Sequence, residues 1–225
     1  MSPVAAASVA LRAADGDTLV VVETVAGPRF PNGVILDSPT ADAVPGGTNH
    51  GGLMCGPTTP RDLGWSLPLS ARRWWDPTCP VGSLDPSLVR AFVAGLDPLT
   101  LPNEPAASIG WGPGLTPAGD DVVVGMLIGF HAAGAPREAR QLADACAGAE
   151  TTPFSRSLLD HATVGETVRP VLDLVRALGR HGELGAAVEG LRQFGATSGA
   201  HILDGLRQAF SQAPSLIQPE QELMV

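Results

Sequence analysis

The sequence predicts an α+β protein, with an N-terminal β-rich lobe over residues 1–82 that carries a long Gly/Pro loop and a helical lobe over residues 83–225. Three observations predict it. Runs enriched in β-branched residues are confined to the N-terminal end, apolar residues recur at helical spacing beyond Pro86, and Gly or Pro punctuates the second half at intervals that suit helices. A chain of 225 residues is longer than the usual single domain and short of two full-sized ones, so two lobes in one body fit its length.

In chain order, Val4 to Arg12 and Thr18 to Val25 flank an Asp15-Gly16-Asp17 turn and read as a hairpin, and Gly33 to Leu36 reads as a further strand. Ser38 to Pro60 is rich in Gly, Pro, Thr and Asn, lacks periodicity and reads as a long loop. Trp65, Trp74 and Trp75 cluster around Arg72 and Arg73, as expected of aromatic packing against the rest of the chain. Leu88, Phe92, Val93 and Leu96 mark a short helix ending before Pro98. Further helices are expected over Pro117–Ala133, Pro136–Ala147, Pro153–Thr163, Val168–Leu178, Leu184–Phe194 and Ser198–Phe210, with a frayed tail from Gln212.

Composition excludes several functions. The net charge is −9, and all 14 basic residues are Arg, so nucleic acid is not an expected partner. Without Lys there is no Schiff base and no phosphate-loop lysine. Cys55, Cys79 and Cys146 are odd in number and widely spaced, which suits neither a disulfide framework nor a zinc site and fits a reducing compartment. The apolar start lacks the basic region of a signal peptide, and Val122 to Ala135 is too short to span a membrane, so a cytoplasmic protein without membrane or cofactor is expected.

The most informative stretch is Gly110-Trp-Gly-Pro-Gly-Leu-Thr-Pro-Ala-Gly-Asp-Asp-Val122. Thr116 is placed to N-cap a helix whose first residue is Pro117. Gly112 and Gly114 leave room for a ligand to approach main-chain amides, which makes the helix start an anion site. Asp120 and Asp121 oppose that role, so an anion there needs an Arg, a metal ion or a protonated carboxyl beside it. The competing reading is a well-capped helix with solvated aspartates, in which Gly125 and Gly129 mark close helix packing.

Gly112-Pro-Gly-Leu-Thr-Pro-Ala-Gly-Asp-Asp121 followed by Gly125 resembles the GxGLTPxGDD…G motif of the AllH-like family, the AllH subunit of oxamate carbamoyltransferase. Two further blocks resemble that family: Thr151 to Leu159 with Ala162 and Gly165, and Thr197-Ser-Gly199 with Gly205. The resemblance covers roughly residues 105 to 210. This chain carries His201 and then Asp204 after the Ser-Gly pair, where the family often has an acidic residue soon after it, and that leaves a different ligand open.

The resemblance implies a carbamoyl-transferring subunit of allantoin catabolism, working with other subunits on oxamate or oxalurate and carbamoyl phosphate. If the chain is catalytic, Asp120 or Asp121 is the available base, and the amides around Gly112, Gly114 and Leu115 with the Thr116 hydroxyl are the oxyanion donors. Ser155 with Arg156, and Ser198 with Gly199, would complete an anion pocket, with His201 a further contact. Bland alternatives remain open for each: Ser155 and Ser198 as helix caps, Arg156 and His201 as surface residues, and His50 as a loop histidine. The usual carbamoyltransferase elements S-x-R-T and H-P-x-Q are absent from the sequence. Two alternatives stand beside the first reading: a non-catalytic assembly or regulatory subunit, and a Mg²⁺-dependent hydrolase of small amides using the aspartate pair.

Overall fold

A computed structural model of the chain describes residues 8–12, 19–24, 29–36, 75–101, 104–180 and 183–213. The chain divides into two compact units, Met1–Pro77 and Thr78–Val225. His50, Cys55, Trp65, Arg72, Arg73, Trp74, the long Gly/Pro loop and the tail beyond Ala213 lie outside the described residues.

In the first unit, β1 (Ser8–Arg12) pairs antiparallel with β2 (Leu19–Thr24), and β2 pairs parallel with β3 (Gly33–Leu36). Glu23 is fully buried and accepts hydrogen bonds from the Arg29 and Phe30 N–H groups, each at 2.8 Å. Burial pushes its carboxyl above the ordinary glutamate range, although those two amides pull the other way.

The second unit is built from α1 (Pro86–Ala94), a 3₁₀ turn (Pro105–Ser108), α2 (Ala118–Ala132), α3 (Pro136–Cys146), α4 (Pro153–Thr163), α5 (Arg169–Ala177), α6 (Leu184–Arg192) and α7 (Ser198–Gln212). The expected α+β class with a β-rich lobe is therefore corrected: the described fold is helical. Among the described residues, strand is confined to three short segments in one three-stranded sheet, set against seven α-helices, which is too little strand for a β-rich lobe.

Local chemistry explains the helix starts. Asp85 caps α1 by accepting from the Ser87 and Leu88 N–H groups at 2.7 and 3.3 Å, with Pro86 in the first turn. Thr152 caps α4 through the Ser155 N–H at 3.1 Å, again ahead of a proline. The buried side of α1 is Val89 and Phe92, and Phe92 meets Phe210 of α7 edge to face with ring centroids 6.0 Å apart.

The core of the unit is α2, in which every residue but His131 is buried. Helices α3, α4 and α7 pack around it, α6 packs on α5 and α7, and α1 on α7. A helix covered on all sides needs no polar face, which is why its sequence from Val122 to Phe130 is apolar. The helices α2 and α7 run parallel: Gly125 abuts Ile202 and Gly205, and Gly129 abuts Leu206 and Ala209. A Cβ on Gly205 would overlap the Val122 carbonyl and come within 2.9 Å of the Gly125 Cα, so glycine is what permits the contact. The packing role expected for Gly125 and Gly129 is thus what the structure displays.

Candidate functional site

The parallel arrangement brings the N-terminal ends of α2 and α7 together, and the loop from Gly110 to Pro117 runs between them and the start of α4. Gly112 and Gly114 adopt φ of 109° and 102°, conformations that a side chain would strain. Among the described residues, the N–H groups of these two glycines meet no acceptor.

The helix start differs from the expected one. α2 begins at Ala118, Pro117 occupies the N-cap position, and no side chain caps it. Backbone carbonyls take over: the Gly119 N–H donates to Trp111 O at 3.1 Å, and the Asp120 and Asp121 N–H groups donate to Pro117 O at 3.0 and 3.2 Å. The Thr116 hydroxyl is released from capping and lies 2.9 Å from the Ser198 hydroxyl, the first side chain of α7.

The two aspartates have separate environments. Asp120 is fully buried, and both its oxygens are engaged: Oδ1 accepts from the Gly110 N–H at 2.6 Å and Oδ2 from the Thr151 hydroxyl. It pins the Gly-rich loop and the approach to α4 onto α2. The Thr152 hydroxyl adds a second tie by donating to the Leu115 carbonyl.

Asp121 is 2% exposed, yet its Oδ2 has no hydrogen-bond partner among the described residues. Burial pushes its carboxyl up to about 7, the neighbouring Asp120 adds to the rise, and the Ser198 and Thr116 hydroxyls beside it oppose it. The third escape from the charge conflict foreseen in the sequence, a protonated carboxyl, is the one this environment favours. Such a group exchanges protons near neutral pH, the range a general acid or base requires.

The remaining expected residues divide. Ser198 joins Thr116 and Asp121. Ser155 is buried in the first turn of α4. The Arg156 guanidinium donates to the Ala149 carbonyl, at the connection between α3 and α4. Gly199 is explained by packing, since a Cβ there would overlap the Leu191 carbonyl. His201 lies half-buried one turn into α7, and its buried Nδ1 has no partner among the described residues. Asp204 is buried in an ion pair with Arg207 at 2.8 Å and accepts from Gln208 and from the Leu99 N–H. Trp111 was not singled out as a site residue from the sequence; it stands between two positive-φ glycines with 45% of its surface exposed. A tryptophan flanked by two glycines, Gly110 and Gly112, was the sequence signal available for it.

The family model described as oxamate carbamoyltransferase subunit AllH matches residues 108–210. The matched span opens on Ser108, whose carbonyl accepts the Trp111 N–H at 2.9 Å, and closes on Phe210 of α7. It therefore takes in the AllH-like motif, both further blocks and the whole junction of α2, α4 and α7. No solved structure matches the chain. Among the described residues there is no group of three or more His, Cys, Asp or Glu side chains that could hold a metal ion. No described helix is long and apolar enough to cross a membrane.

Proposed function

We propose that this chain is a subunit of a carbamoyl-transferring enzyme of the oxamate, oxalurate and carbamoyl phosphate class, and that it binds a small anionic substrate where the N-terminal ends of α2 and α7 meet. The observation that carries the reading is Asp121, a buried carboxyl with one unpartnered oxygen, set between two hydroxyls at paired helix starts. Two helix dipoles and the Gly112 and Gly114 amides favour negative charge there.

In the transfer direction, an amide nitrogen attacks the carbamoyl carbon, the N–C bond forms as the bond to phosphate breaks, and the nitrogen gives its proton to Asp121. In reverse, protonated Asp121 returns that proton to the leaving amide nitrogen as phosphate attacks. A carboxyl titrating near 7 serves both directions, whereas Asp120, with both oxygens engaged, holds the loop in place.

The test is a thermal-shift titration with oxamate, oxalurate, carbamoyl phosphate and phosphate. Ligand at about 100 times its Kd adds roughly 2.7 kcal/mol and raises Tm by about 5–11 °C. A shift with oxamate or oxalurate is expected in the wild type and is reduced, though not abolished, in Asp121→Asn. A second reading, an assembly subunit, is favoured by the use of Gly119, Gly125, Gly199 and Gly205 in backbone-to-backbone packing. No shift with any of the four ligands would decide for it.

A further inference from the structure

The buried carboxylate at the proposed site does more than exchange a proton: it restricts the charge and hydrogen-bonding character of what can sit beside it. We infer that Asp121 is a specificity-determining residue, selecting a singly charged carboxylate that carries an adjacent amide N–H and turning dianions away from its own carboxyl, so that the phosphate end of the co-substrate faces away from it. The inference rests on the function proposed above.

Three observations carry it. Oδ2 of Asp121 lacks a partner at a side chain 2% exposed, and a buried acceptor of that kind is stabilised by a ligand N–H. The Gly112 and Gly114 N–H groups, without acceptors among the described residues, complement a carboxylate. The described arginines of the surrounding helices are turned elsewhere, Arg156 to the Ala149 carbonyl and Arg207 to Asp204. A ligand with an acceptor end and a donor end satisfies both halves, whereas a dianion meets the Asp121 charge.

The groups acting on the Asp121 carboxyl are Thr116 from the loop, Ser198 from α7 and Asp120 on its own helix. Protonation of Asp121 removes the repulsion and supplies a donor, so discrimination is a function of pH. Sulfate and oxamate are suitable probes because neither changes charge near neutrality.

Their dissociation constants would be measured by calorimetry at pH 6 and pH 8 on wild type and Asp121→Asn. The expected result is that the sulfate-to-oxamate ratio of Kd rises at least about tenfold from pH 6 to pH 8 in the wild type and stays flat in the variant. Oxamate binding with a pH-independent ratio in the wild type, or tight sulfate binding at pH 8, overturns the inference and leaves the proposed function standing. Failure of both probes to bind at either pH overturns both. Should Asp121→Asn not fold, the wild-type ratio alone decides, and Ser198→Ala supplies the second variant: removing a hydroxyl that favours the ionised form moves the pH at which discrimination sets in upward.

Discussion

Replacing Gly205 by Ala tests the α2–α7 junction directly. The added Cβ would overlap the Val122 carbonyl oxygen and lie 2.9 Å from both the Gly125 Cα and the Met126 N, so it meets backbone on every side and no side chain can rotate away. Overpacking of this kind costs about 1–3 kcal/mol, and immobile backbone places this site at the upper end. The intrinsic gain of Ala over Gly in a helix, about 1 kcal/mol, offsets part of it. The net loss is roughly 2 kcal/mol, a fall in Tm of about 4–8 °C by calorimetry or circular dichroism. Gly190→Ala in α6 is the control, because a Cβ there meets nothing within 4 Å and only the propensity gain remains. Gly205→Ala as stable as Gly190→Ala would refute the close parallel packing, and with it the meeting of Ser198, Thr116 and Asp121.

Other consequences follow from the same geometry. Asp120→Asn should destabilise the unit by about 1–3 kcal/mol in denaturant titrations, because one of two occupied acceptors becomes a donor facing either the Gly110 N–H or the Thr151 hydroxyl. Asp121 carries a pKa raised from an ordinary 3.8 to about 7 in the folded state. Between those values the folded chain holds a proton that the unfolded chain has released, so the group's contribution to stability falls as pH rises from about 4 to about 7, by at most about 1.4 kcal/mol per pH unit. Asp121→Asn should remove that slope in unfolding curves compared at pH 5 and pH 8. Arg207→Ala leaves the buried Asp204 carboxylate, among the described residues, with Gln208 and the Leu99 N–H as its partners, and a loss of about 1–3 kcal/mol is expected, moderated because Arg207 itself reaches solvent.

Much of the helical unit was legible in the sequence because proline and glycine act locally. Pro86, Pro136 and Pro153 stand in the first turns of α1, α3 and α4, and the expected helix limits agree with the observed ones to within about two residues. The site was legible in composition and not in roles. Neighbouring Asp120 and Asp121 look interchangeable along the chain, and only the position of Thr151 and Ser198 in space separates a tethered carboxylate from one with a vacant oxygen. The capping assignment for Thr116 failed because a loop carbonyl, from Trp111, competes for the helix amides and no sequence pattern announces it. Arg156 looked like an anion clamp because guanidinium chemistry suits one, yet a nearer carbonyl takes it. The β-rich lobe was over-read from β-branched composition, which reports packing context as much as strand.

The two helix starts that frame Asp121 are far apart in the chain, Thr116 and Ser198 being 82 residues from one another. During synthesis the Gly-rich loop and α2 leave the ribosome well before their counterpart exists, and α3 to α6 are made in the interval. Until α7 is released, the Asp121 end of α2 lacks the Ser198 hydroxyl and the proposed site is half-built. A chain ending after α6 would keep the ties from Asp120 and Leu115 to the start of α4 and lose the α7 side of the junction, so the pairing of Thr116 with Ser198 reports that synthesis has passed α6.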